Sequence, residues 1–369
     1  MSQQELKKIK NTDYMKKTRF NDCSNIGCVR RYGNHYNVVP LVTVIMPTYQ
    51  GQDTIFNSVK SVLNQEGFDD FQLLIVDNDD NETSMNETEK ILRTFNSDKI
   101  IYYRNEKNIG VWGNWSRCIK LARSQWVCMI NDDDIIPSKF LAIMMGIVKQ
   151  CNKIDFLACN QKLLKEGHYD LEAEKKINIT KSKDKICKIS YKDYITGGYY
   201  LHMHGAVFKR LPAIKIGGFK INRFYPALED DIFCIKFCKY YSVFYYNQEL
   251  YKRVFGQNIS STKREEWVPQ SLVCSYYVMK SLIKEEKIWK RPLYYYFHNV
   301  KYSEHFESVK KGTKFEKSIK INLNEIKKQC GISYMNKNIT WKMIYKIINM
   351  RNRIYDKYFR EYIEVKISN

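Results

Sequence analysis

No stretch of this 369-residue chain stays apolar for the roughly 20 residues that a bilayer crossing needs, so nothing in it reads as a membrane span. The N-terminus from Met1 to Lys17 is Lys-rich and lacks the apolar centre of a secretory signal. The expected location is therefore the cytoplasm. Neither GxGxxG nor GxxxxGK[ST] occurs, which excludes a dinucleotide fingerprint and a P-loop. Any phosphate must be met by other means. The cysteines, 11 in number, form no even framework, and scattered odd thiols argue for a reduced protein. Cys23, Cys28 and His35 lack a fourth ligand at finger spacing, so no zinc module is expected there.

What is present is an ordinary globular composition, 44% hydrophobic and 27% charged, enough for one large or two moderate domains. The net charge of +21 admits nucleic acid, an anionic membrane face or a polyanionic substrate as a partner, or no dedicated partner at all.

Organisation comes from the apolar runs. Residues 1 to 39 are polar and basic and read as an N-terminal extension, packed on the surface or partly mobile, without assigned chemistry. Leu41 to Met46 is a β-branched strand ended by Pro47, and Thr48 to Gly51 form a turn. Asp53 or Thr54 is placed to cap a helix through Ile55, Val59, Val62 and Leu63. Further strands are expected at Phe71 to Val76, Lys99 to Tyr103 and Gln125 to Ile130, alternating with helices at Glu82 to Phe95, Trp115 to Arg123 and Lys139 to Val148. This alternation implies an α/β fold, a mostly parallel sheet with helices on both faces. Ligands of such sheets sit beyond the carboxyl ends of the strands.

Two of those ends are acidic. One carries Asp77, Asn78, Asp79 and Asp80; the other carries Asn131, Asp132, Asp133 and Asp134. Adjacent carboxylates repel, and magnesium or manganese, which binds through one or two carboxylates plus substrate phosphates, would relieve the crowding. The plainer reading makes the second cluster a helix start, with Asp as N-cap and Pro137 in the first turn. Downstream, Phe156 to Lys165 is an expected strand and Glu166 to Lys188 a surface excursion. His202 and His204 would share one face of a strand. Glu229, Asp230 and Asp231 precede another helix, and Val243 to Tyr251 reads as a last strand. Arg104, Lys107, Asn108 and Arg253 are cations and amides near the same rim.

The order VTVIMPTYQG, LLIVDND, NIGVWGNWSRCIKLARSQWVCMINDDD, GGF and LEDD resembles the family 2 glycosyltransferases, inverting enzymes of the GT-A fold, over about residues 41 to 240. The resemblance implies a nucleotide-diphospho-sugar donor, UDP-linked by expectation. It places Pro47, Thr48 and Tyr49 at the nucleoside and Asp77 at the uracil or ribose; Asp79 at the same tip, and Arg104, Lys107 or Asn108 from the loop after the third strand, are expected to meet the nucleotide as well. Asp132 is expected at the ribose or metal, and Asp133 on Mn2+ or Mg2+ with Asp134 as the alternative. Glu229 and Asp230 fall on the family's acid pair, with Asp230 as the base. Asn131 and Asn78 depart from the family's acids. The Gln-x-x-Arg-Trp signature of processive members is missing, so single addition to a glycan or lipid-linked acceptor is implied. A sugar nucleotidylyltransferase and an inactive glycan-binding relative are the alternatives. Acidic strand tips argue against nucleic acid.

The division expected is 1–39, a catalytic domain at 40–262 with a nucleotide half (40–150) and an acceptor half (151–262), and a basic, aromatic-rich helical region at 263–369. That last region carries 23 Lys and Arg against 11 Asp and Glu. Such a surface suits peripheral contact with the anionic inner face of a membrane, or it packs as a bundle or dimer contact.

Overall fold

A computed structural model of the chain describes residues 14, 16–80, 84–165, 185–191, 193, 201–220, 229–255, 350 and 360–367. In chain order the elements are β1 (Cys28–Tyr32), β2 (Val42–Thr48), α1 (Ile55–Leu63), β3 (Phe71–Asp77), α2 (Glu87–Thr94), β4 (Ile100–Asn105), α3 (Gly110–Leu121), β5 (Trp126–Met129) and α4 (Phe140–Gln150). They continue with β6 (Phe156–Lys165), β7 (Lys185–Ile189), β8 (Val207–Lys209), α5 (Arg210–Lys215), α6 (Glu229–Tyr240), β9 (Val243–Phe255) and β10 (Tyr362–Glu364). All ten strands join one sheet in the order β1-β4-β3-β2-β5-β8-β6-β9-β7-β10.

The continuous apolar runs become its centre because a strand covered on both faces has no polar side to show. Every residue of β2 and β3 is buried. Alternate side chains serve opposite cores: Val44 and Met46 pack with Val59, Phe140 and Met144, while Ile45 packs with Trp115, Val127 and Phe208. Each such side chain contributes about 2 kcal/mol on removal from water. The β4-β3-β2-β5 block is parallel, and thus the tips of β2, β3 and β5 converge on one rim. Beyond β5 the sheet is mixed, since β8 runs antiparallel to both β5 and β6.

Residues 16–32 pack on the rest of the domain. β1 pairs with β4, Lys17 lies over the Tyr240 ring, and a side chain at Gly217 or Gly218 would strike Thr18 or Phe20. Both glycines hold positive φ, as that close approach requires. The chain's other end departs from the expected helix. Tyr362–Glu364 adds an antiparallel strand beside β7, and buried Arg360 reaches Asp193 at 2.9 Å, an ion pair that anchors it. His202 and His204 lie before β8, not in a strand. The helical expectations for 256–349 lie outside the described residues. Thr54 stands at the N-cap of α1 without a side-chain capping hydrogen bond, its hydroxyl donating to Gly51 O instead. Among the described residues no helix is long and apolar enough to cross a membrane.

Candidate active site

The rim begins at β2. Thr48 closes the strand opposite Asp77 of β3, and its hydroxyl donates to Asp132 Oδ2 at 2.5 Å. Gly51 makes this approach possible, since a Cβ there would lie against the Thr48 hydroxyl and the Asp132 carboxylate. Pro47 is buried in β2, whereas Tyr49 is 41% exposed and available to a ligand.

Asp132, Asp133 and Asp134 do not cap a helix. Helix α4 starts at Phe140, and its N-terminal Leu141 N–H is taken by Gln65 Oε1 at 2.8 Å. With capping removed, the three acids divide by partner. Asp134 is buried, and both oxygens are occupied: Oδ1 accepts from Val254 N, and Oδ2 from the Tyr251 hydroxyl and Asn131 Nδ2. Asn131 thus serves as a donor where a third acid would repel. Asp132 and Asp133 are half-buried. Burial pushes Asp132 up to about 6, with Asp134 and Asp77 adding to the shift against the Thr48 hydrogen bond. Burial, then Asp134 and Asp132, push Asp133 up to about 8. These carboxylates are crowded and short of positive charge.

The acid expected at the uracil or ribose, Asp77, closes β3. Asp77 has no exposed surface, and it accepts from the Tyr102 hydroxyl at 2.7 Å, Asn86 Nδ2 at 2.9 Å and Asp79 N at 2.9 Å. Asn86 also donates to Asp79 Oδ2 and caps α2 by accepting from Glu89 N. Asp77 and Asp79 therefore shape the rim from beneath. Asn108 is exposed at the rim, where its backbone N–H meets Asp80.

Across the sheet, α6 opens with Glu229 and Asp230. Glu229 is buried, accepts from Lys220 N, and burial lifts it to about 7 against the pull of Lys236. Burial also raises Asp230, which Arg253 opposes. Arg253 on β9 acts in the same direction on Asp133 and Asp134 of the loop after β5. Ile135 and Lys252 exchange both backbone hydrogen bonds, holding this part of β9 against the acidic loop.

Among the described residues no three His, Cys, Asp or Glu side chains converge on a metal position. Two crowded carboxylates, Asp132 and Asp133, fit a magnesium or manganese ion that takes its remaining ligands from phosphate and water. Tyr251, Asn86, Gln65 and Gly51 were not singled out for these roles in the sequence. Tyr251, Gln65 and Gly51 meet partners far along the chain, at Asp134, Leu141 and Asp132. Gly51 left a signal in the PTYQG turn.

Residues 43–203 match the family model described as Glycosyl transferase family 2. Escherichia coli K12 has a similar protein, the putative colanic acid biosynthesis glycosyl transferase WcaA, 29% identical over 121 residues, 33% of this chain and 42% of that protein. The UDP-Glc:alpha-D-GlcNAc-diphosphoundecaprenol beta-1,3-glucosyltransferase WfgD of Escherichia coli is 30% identical over 124 residues, 34% of this chain and 47% of that one. The chain thus spans less than half the length of these curated relatives. The crystal structure of S. aureus TarS 1-349 in complex with UDP-GlcNAc shares the fold, with a TM-score of 0.58 at 16% identity, over 84% of this chain and 88% of that one. The fold is that of the GT-A transferases.

Proposed function

We propose that this chain, which carries a glycosyl transferase family 2 domain over residues 43–203, moves one sugar from a nucleotide diphosphate, UDP by preference, to a hydroxyl of a glycan or lipid-linked acceptor with inversion. The observation that carries the reading is the acidic end of β5, where Asp132 takes the Thr48 hydroxyl at the tip of β2 and Asp133 is left crowded beside Asp132 and Asp134. A leaving diphosphate needs a cation beside it, and an attacking hydroxyl needs a base.

Thr48, Tyr49 and Asn108 receive the nucleoside side of the donor at the tips of β2 and β4. Asp133 holds a divalent ion, assisted by Asp132, while Asp134 keeps the loop in place. When bound, the ion offsets the charge of the departing diphosphate. Arg253 adds a fixed cation on the same side. Asp230 accepts the acceptor hydroxyl's proton as that oxygen attacks the anomeric carbon, and the bond to the diphosphate breaks on the opposite face. Burial that raises its pKa strengthens it as a base near neutrality. Glu229 remains in its buried pocket and fixes the start of α6. UDP-linked and undecaprenol-linked substrates in the names of the relatives support the donor and acceptor classes. The basic composition of 263–369 supports a peripheral position at an anionic membrane.

The test is thermal unfolding of the full chain with UDP, GDP and CDP, each with and without manganese. Ligands that bind the native state alone raise its apparent stability. Stabilisation by UDP that needs manganese is expected; no response to any nucleotide would overturn the reading.

A further inference from the structure

An aromatic cluster links the acidic loop after β5 to the start of α6. Trp115 of α3 makes edge-on contacts with Trp112 at 5.0 Å between ring centres, with His204 at 5.1 Å and with Phe219 at 5.2 Å. His204 also lies nearly parallel to Tyr251, 6.4 Å away, and Tyr251 holds Asp134. At the other end Phe219 is followed by Lys220, whose N–H holds Glu229. Among the described residues, neither His204 Nε2 nor Trp112 Nε1 has a hydrogen-bond partner, although both atoms are buried. An unpaired buried donor or acceptor is costly, and two in one cluster call for a cause. Burial, with Arg253 and His202, holds the imidazole down at about 3, so the ring is neutral and keeps one N–H and one lone pair. Trp112, Trp115 and His204 each retain a narrow exposed edge, 7–9%.

We propose that His204 is a specificity-determining residue for the transferred sugar, its Nε2 pairing with a hydroxyl or acylamino group of that sugar and Trp112 Nε1 adding a second contact that only donates. The inference rests on the glycosyltransferase reading and deepens it. With the diphosphate at Asp133 and the base at Asp230, the transferred sugar lies between the two. The aromatic cluster spans that interval, tied to the acidic loop through Tyr251 and to α6 through Phe219 and Lys220. A sugar presents apolar C–H faces and a polar rim. Aromatic rings cover the faces, and a few polar atoms set among them distinguish one substituent pattern from another. A site whose buried polar groups need a substituent rejects the analogue that lacks it, because those groups then stay unpaired. The nucleoside is met elsewhere, at Thr48 and Tyr49, so the effect of His204 is confined to the sugar.

The experiment uses the full chain with His204→Phe, which keeps an aromatic ring and removes both ring nitrogens. UDP, UDP-glucose, UDP-galactose, UDP-N-acetylglucosamine and UDP-N-acetylgalactosamine are each titrated calorimetrically in the presence of manganese. Wild type is expected to bind one UDP-sugar about tenfold or more tighter than its analogues. In His204→Phe that preference shrinks by about tenfold while UDP itself binds within about twofold of wild type. The free variant unfolds at the same temperature or higher, since an unpaired polar group is gone. Trp112→Phe removes the other unpaired atom and is read the same way if His204→Phe fails to fold. An unchanged preference in the variant so read overturns the proposal, and a lowered unfolding temperature beside it marks a structural residue completed by trapped water. Equal weakening of UDP and of every UDP-sugar also overturns it, as does a wild type that binds all the UDP-sugars alike. Wild-type protein that binds no nucleotide would instead overturn the functional reading beneath it.

Discussion

The Tyr251 hydroxyl donates to Asp134 Oδ2 at 2.5 Å and accepts from Asn131 N at 3.2 Å, so one phenol joins β9 to the acidic end of β5. Both partners are buried, and Gly205 lies against the ring where any side chain would collide with it. Tyr251→Phe leaves Asp134 buried with one donor fewer. It is expected to lower unfolding free energy by about 2 kcal/mol, measured by urea denaturation, and to weaken manganese-dependent UDP binding. Unchanged stability would remove the hydroxyl from this role.

Asp133 is the rim acid that burial, then Asp134 and Asp132, lift to about 8. Asp133→Ala is expected to abolish manganese-dependent stabilisation by UDP while raising the stability of the free protein at pH 7, because a crowded carboxylate is gone. Differential scanning calorimetry reads both. Retained manganese dependence would move the ion to Asp132.

For Asp230, the informative substitution is Asn, which keeps shape and removes the base. UDP affinity should stay within about twofold while turnover falls by about 100-fold or more. Normal turnover would sink the assignment.

A methyl group at Gly51 has no room beside Thr48 and Asp132. Gly51→Ala is expected to cost about 1–3 kcal/mol of stability by overpacking and to weaken UDP binding through the displaced Asp132. The Thr48→Val variant separates the two effects, since it removes the hydrogen bond without adding bulk to the turn.

Glu229 supplies a pH test. Its folded pKa, about 7, lies above the ordinary 4.5, so the native state binds the proton more tightly than the unfolded chain does. The contribution is fully present below about pH 4.5 and is lost as pH rises through 7. The loss is on the order of 3 kcal/mol over that window. Comparing unfolding free energies of wild type and Glu229→Gln from pH 5 to 8 should show the difference shifting by about that amount in favour of Gln as pH rises. Parallel curves would place the Glu229 titration elsewhere.

Local pattern was enough for much of the fold. The β-branched run before Pro47, the FQLLIV run and the alternation with amphipathic helices specify the parallel block, because strand and helix periods are written in near neighbours. The acids at the ends of β3 and β5 follow, since a strand's last residues reach the rim wherever the strand lies. The division of labour among those acids was decided by tertiary packing. Asp134 differs from Asp133 because Tyr251 and Val254, over 100 positions away, donate to it. Asp77 went under the rim because Tyr102 and Asn86 enclose it. Residues 16–32 have little periodicity of their own. Carbonyls of Asp22, Cys23 and Ile26 aimed at the buried Arg117 guanidinium, and a strand edge on β4, give them their place. Such partners are set by which surfaces meet when the sheet closes, and no local spacing encodes that meeting.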